Sequence, residues 1–187
     1  MKKIKSYIAG IIVERDKEGH DWREDLCKKL TEKSGFHIIA LDPSKYHEGF
    51  DFDDNNAKFV VGRDSFMIKN ADLVIVNLTD DVGIGASQEM LIAKYYKKPL
   101  IGIAPKGGRF NKEEKKIMGK TFKNWVHPFV KFTCDKVVEN IDEAAEFIKE
   151  FFSNPNSKAK DLSIIEDALD YYENEFHHLD KTLHFND

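Results

Sequence analysis

The chain has 187 residues, 41% hydrophobic and 33% charged, with a formal net charge of -4. That length fits one domain with a short appendage and is enough for a full hydrophobic core. The acidic balance argues against a nucleic-acid binder that relies on a basic surface, and no apolar run reaches the length of a membrane span.

Two cysteines, Cys27 and Cys134, stand far apart in the sequence. No CxxC or Cys/His cluster exists, so no zinc site is expected. Isolated thiols fit a reducing cytoplasm. The opening MKKIKSYIAGIIVERDKEGHDW has too short an apolar run for a secretory leader and reads as a first strand.

Strand-like and helix-like segments then alternate. KIKSYIAGIIV is a buried strand. A helix follows from His20 to Lys33, with Trp22, Leu26 and Leu30 at steps of four. FHIIALDP is a second strand, stopped by Pro43, and a loop rich in Asp and Asn runs to Asn56. NNAKFVVGRDSFMIKNAD is a helix capped by Asn55 or Asn56. ADLVIVNLT is a third strand, GASQEMLIAKYYKK a helix, and PLIGIAP a fourth strand between prolines. KGGRFNKEEKKIMGK reads as a polar loop with a helical turn. NWVHPFVKFTCDKVVEN holds a fifth strand, and IDEAAEFIKEFF opens on the capping pattern Asn140 to Glu143.

Regular alternation of nearly continuous apolar strands with helices predicts a parallel sheet covered on both faces. The expected architecture is an α/β three-layer sandwich, flavodoxin-like or Rossmann-like, with five parallel strands over residues 1–152. Ligands bind such sheets at the carboxyl ends of the strands, where the strand order reverses. The loops after Gly10, Leu41, Leu78 and Ala104 should therefore surround any site. SNPNSKAK, residues 153–160, reads as a linker. Beyond it, Leu162, Ile165, Leu169, Tyr172, Phe176 and Leu179 mark an amphipathic helix in a C-terminal extension, 161–187. Its stripe suits its own domain or, the preferred reading, a second subunit.

The residues able to do chemistry cluster in LVIVNLTDDVGIGASQEMLIA, 73–93. Glu89 lies in the first helical turn or just after it, on the face of Ile92, Ala93 and Tyr96. A carboxylate there is either a partly desolvated nucleophile or a surface residue that complements the helix dipole. Asp64 falls on the apolar face set by Val60, Met67, Ile68 and Ala71, where an acid needs a partner or a cavity. It either faces a site or pairs with Arg63. The GIGAS turn, Gly83 to Ser87, opens a helix and suits either an anion or a tight turn. Tyr7 and Gly10 close the first strand, and Gly10 admits a ligand or a crossing helix. Trp22 suits core packing better than base stacking. Asp80 and Asp81 suit sugar hydroxyls or a solvated loop. His127, His177 and His178 carry no metal-ligand spacing.

These pieces resemble the nucleoside 2-deoxyribosyltransferase family and the related nucleoside 5'-monophosphate N-glycosidases. The match rests on YIAG (7–10), DWREDL, RDSFMIKNAD with Asp64, and GASQEMLIAKYYKKPLI (85–101), in the family's order. The resemblance implies that Glu89 attacks the anomeric carbon of a nucleoside or nucleotide. Asp64 would assist the leaving base, Tyr7 would position Glu89, and Gly10, Asp81, Gly83, Gly85 and Ser87 would bind substrate. It implies sugar transfer to a second base, or, as the alternative, hydrolysis of a 5'-monophosphate with Arg15 or Lys106 near the phosphate. A non-catalytic nucleotide-binding module is the third reading. No metal or organic cofactor is implied, and a homo-oligomer is. One departure stands out: many transferases carry an acid immediately or nearly before the motif glycine, where Gly83 and Ile84 stand here and Asp81 lies further back.

Overall fold

The computed structural model describes residues 1–11, 22–46, 53, 55–79 and 81–183. The expected helix start at His20, the cation Arg15 and the acid Asp80 lie outside the described residues. In chain order the elements are β1 (Lys3–Ala9), α1 (Trp22–Ser34), β2 (His37–Leu41), α2 (Ala57–Asn70), β3 (Leu73–Asn77), α3 (Ile84–Tyr95) and β4 (Leu100–Ile103). There follow β5 (Asn111–Ile117), β6 (Lys120–Val126), α4 (Pro128–Thr133), β7 (Lys136–Val138), α5 (Ile141–Ser153) and α6 (Ser163–Glu175). Short 3-10 turns at His177–Leu179 and Lys181–Leu183 come last.

Five strands form a parallel sheet in the order β2-β1-β3-β4-β7. Alternate residues of each strand face opposite sides, and this splits the core in two. Ile4, Ile8, Leu73 and Ile75 pack under α1 and α5 with Leu26, Leu30 and Ile148. Tyr7, Ala9, Val74 and Val76 pack on the other side with Ile68 of α2, Met90 of α3 and Val130 of α4. This is the three-layer architecture the alternation predicted. The chain steps outward from β1 to β2 and then returns past β1 to β3. The reversal places the switch point between the carboxyl ends of β1 and β3.

Helix boundaries follow local chemistry. Asn56 caps α2 by accepting the Phe59 N–H, and Asn140 caps α5 by accepting from Glu143. The Glu143 carboxylate in turn accepts from the Glu139 N–H, which completes a two-way cap. Gly10 has φ +155°, and a Cβ there would come within 2.9 Å of the Trp22 ring and 3.3 Å of the Asn77 Cβ. Of the two readings of Gly10, the structure supports the close helix crossing.

One expectation needs correction. The segment around KGGRFNKEEKKIMGK is not a loop with a helical turn: β5 and β6 form an antiparallel hairpin, separate from the main sheet. Its two-residue turn, Met118-Gly119, has φ values of +48° and +76°, the positive pair a tight hairpin needs. Lysines on both strands erase the apolar–polar alternation by which a strand is recognised.

The end of the expected linker is fastened to the body. The Lys160 N–H donates to Asp135 Oδ1 at 2.7 Å, and its ammonium donates to the carbonyls of Phe132 and Cys134. Asp135 also accepts the Leu100 N–H and pairs with the buried Lys94 ammonium. Burial lowers the Lys94 pKa, and Asp135 opposes that shift.

Candidate active site

Glu89 is the sixth residue of α3, one turn further in than a first-turn acid. It is 9% exposed, so it is no surface carboxylate. The positive end of the helix acts mainly within the first turn. Burial is the stronger influence here and pushes the Glu89 pKa up to about 7, with the nearby Asp64 charge adding to the rise. Tyr7 and Arg23 act in the other direction and favour the carboxylate.

Tyr7 stands on β1 next to the switch point, paired with Val74 of β3 and Leu41 of β2. Its side chain is fully buried. The hydroxyl faces Glu89 and is coupled to it, yet makes no hydrogen bond of good geometry. Burial first, then the charges of Glu89 and Asp64, hold the phenol well above its ordinary range. The phenol therefore keeps its proton at neutral pH.

Asp64, on α2, has a half-buried carboxylate, its side chain 19% exposed. Burial raises its pKa, and Arg63 opposes the rise. Both readings of Asp64 find support: Arg63 Nη1 is 3.8 Å from its Oδ1, and its charge reaches Glu89 and Tyr7. The Arg63 guanidinium is largely committed elsewhere. It donates to the carbonyls of Pro43 and Lys45 and stacks over Tyr46. Arg63 thereby ties the end of β2 to α2 and leaves Asp64 partly free.

Beneath this group lies a residue that the sequence reading did not single out. Arg23 is fully buried, its Nε donating to the Ile8 carbonyl at 3.2 Å and its Nη2 to the Gly10 carbonyl at 3.1 Å. Its Nε is 3.6 Å from Asp42 Oδ1, and Asp42 is itself buried at the end of β2. The spacing held the signal: Arg23 precedes Leu26, Cys27 and Leu30 by three, four and seven, so it rides the buried stripe of α1.

The remaining expected residues separate into two groups. Gly85 sits beside the carboxylate: a Cβ there would be 3.8 Å from Glu89 Oε1, and its absence leaves that oxygen approachable. Gly83 is the exposed N-cap of α3. Asp81 and Ser87 lie on the opposite flank of α3. Asp81 pairs with Arg109 and accepts the Val82 N–H, and the Ser87 hydroxyl donates to the Ile84 carbonyl. Both border a groove of about 460 Å³ between α3 and α4, together with His127 and Phe129. His127 caps α4 among the rings of Phe110, Trp125 and Phe129, which fits a structural role. Trp22 packs in the core under α1.

Tyr7, Asp64, Glu89 and Gly85 thus meet at the switch point. One of two neighbouring carboxyls is held close to neutral pH, and a buried hydroxyl is aimed at it. Perturbed, neighbouring acids at such a place are a mark of function. Among the described residues, no cluster of His, Cys, Asp or Glu is placed to hold a metal ion, and no helix is long and apolar enough to cross a membrane.

No family model matches the sequence, and no curated protein does. Solved structures do share the fold. A conserved protein from Enterococcus faecalis V583 superposes with a TM-score of 0.55 at 15% identity, over 79% of this chain and 98% of that one. The 2-desoxiribosyltransferase from Leishmania mexicana superposes with a TM-score of 0.54 at 16% identity, over 79% of this chain and 97% of that one. At these identities the likeness is one of fold. The α/β sandwich implied by the sequence resemblance is the sandwich found.

Proposed function

We propose that this chain cleaves the N-glycosidic bond of a nucleoside by double displacement on Glu89 and passes the sugar to a second base. The observation that carries the reading is the burial of Glu89 beside Tyr7 and Asp64 at the switch point of the sheet. A fold shared with a 2-desoxiribosyltransferase accords with it.

In this scheme a Glu89 carboxylate oxygen attacks C1' of the sugar. The C1'–N bond breaks, its electron pair stays on the base nitrogen, and Asp64 in its acid form gives that nitrogen a proton. The glycosyl ester on Glu89 is then opened by a nitrogen of the incoming base, which returns a proton to Asp64. Two displacements at one carbon retain its configuration. Tyr7 donates to the Glu89 carboxylate, and the open flank at Gly85 admits the sugar. Water in place of the second base gives hydrolysis.

The test is chromatography of the purified protein with nucleosides and 5'-monophosphates, each with and without a second free base. Base exchange supports transfer. Free base without exchange replaces transfer by hydrolysis, and no turnover on any substrate leaves a binding module.

Asp64→Asn should lower kcat by about 10²–10⁴-fold, the usual range for a positioned general acid. Its loss should be smallest for substrates whose base leaves easily. An equal loss across leaving groups of different basicity would remove Asp64 from the acid role.

Tyr7→Phe removes the hydroxyl that favours ionised Glu89. The rise of kcat/KM with pH, set by that ionisation near 7 in the parent protein, should move to higher pH. An unmoved pH profile would show that Tyr7 does not act on Glu89. We further expect the homo-oligomer that the family resemblance implies, which a monomeric mass in sedimentation would exclude, and the reducing cytoplasm that the isolated thiols suit.

A further inference from the structure

The hairpin and the C-terminal helix are the two elements least engaged with the body. Among the described residues, β5 and β6 pair with each other and touch other strands and helices only marginally. The hairpin is basic: Asn111–Val126 carries five lysines against two glutamates, a net charge of +3 in a chain of net -4. Its distal half bears uncovered apolar side chains, with Met118 at the tip 98% exposed beside Ile117 and Phe122. The register pairs Ile117 with Lys120 and Lys115 with Phe122, so two lysines share one face of the hairpin with those apolar side chains.

The extension has the opposite character. Seven acidic residues and no lysine or arginine lie between Asp161 and Asp180. Only Ile164 of α6 is buried, and it borders a groove of about 760 Å³ with Phe129 and Phe132. Ile165, Leu169 and Phe176 form an outward stripe, 50%, 46% and 44% exposed. Helical spacing sets Glu166 and Glu173 along one border of that stripe, with Asp170 just beyond. A basic arm with apolar side chains and an acidic helix with an apolar stripe are complementary in both charge and hydropathy.

We propose that the β5–β6 arm of one protomer docks on the α6 stripe of a second copy of this chain. Met118 and Phe122 lie against Ile165 and Leu169, and Lys115 and Lys120 on the same hairpin face meet Glu166, Asp170 and Glu173. The proposal specifies the contact behind the expected homo-oligomer and does not depend on the glycosidic chemistry. An arm and a helix on every copy allow two such contacts to close a symmetric dimer.

The experiment is sedimentation of the full chain at several salt concentrations, with charge-reversed variants. K115E/K120E and E166K/D170K/E173K should each weaken self-association at least ten-fold. Mixing the two variants should restore it, because one arm–helix pair of the mixed dimer has its charges reversed on both sides. High salt should weaken the parent assembly. Circular dichroism of each variant separates lost assembly from lost folding, and base release from nucleosides, assayed in parallel, reports on the glycosidic reading separately. A monomeric parent protein, an oligomer indifferent to both reversals, or mixing without restoration would each overturn the proposal. So would a parent chain that stays monomeric and uses its arm to bind an oligonucleotide.

Discussion

Glu89→Gln should abolish turnover and at the same time make the folded protein more stable at pH 8. The loss of turnover follows from the proposed covalent step, and removing a nucleophile of this kind costs roughly 10⁴-fold or more in kcat. The gain in stability follows from where the carboxylate sits. Burial raises its pKa from 4.5 to about 7, so the fold favours the neutral acid. Below the lower value both folded and unfolded chains carry the proton, and the buried charge costs nothing. Between the two values the unfolded chain ionises first, and the cost grows with pH. Above about 7 it is complete. At 1.36 kcal/mol per pKa unit, the full cost is roughly 3 kcal/mol. Glutamine keeps the shape without the charge. Denaturant unfolding at pH 4 and pH 8 should therefore show the variant gaining at pH 8 and matching the parent at pH 4. A variant no more stable at pH 8 would mean that Glu89 is well solvated and carries no functional strain.

The legible parts of this molecule were those whose signal is local and periodic. Apolar strands at regular spacing gave the parallel sheet, and Asn56 and Asn140 announced their helices by their caps. Glu89 and Asp64 were visible because an acid on an apolar helix face conflicts with the pattern around it. What did not show was side-chain direction across elements. Asp81 and Ser87 belong to the same short stretch as Glu89, yet a helix sends Ser87 and Glu89 to different flanks, and Asp81 turns to Arg109. The hairpin was hidden because its strands project from the body, so no buried face imposes alternation on their lysines. Arg23 was hidden because its partners are mostly main-chain carbonyls, which no residue type reveals.

Arg23→Met should destabilise the protein by about 3–5 kcal/mol, the usual cost of breaking a buried ion pair from one side. The reason is the company the guanidinium keeps. Without it, the Asp42 carboxylate, 2% exposed in its side chain, loses its cation, and one of its oxygens already has no hydrogen-bond partner. The carbonyls of Ile8 and Gly10 lose their donors at the same time. Adding Asp42→Asn should recover part of the loss, because it removes the stranded charge. Arg23→Lys should recover little, since a compact ammonium cannot reproduce the forked contacts of a guanidinium. The effect should extend to chemistry. Arg23 favours the ionised form of Glu89, so in Arg23→Met/Asp42→Asn the rise of activity with pH should shift upward from about 7. Urea unfolding measures the first effect, and the pH dependence of kcat/KM measures the second. Arg23→Met with parent stability would show that the strand ends hold without the arginine. An unshifted profile in the double variant would confine Arg23 to holding the carboxyl end of β1, with no influence on the acid above it.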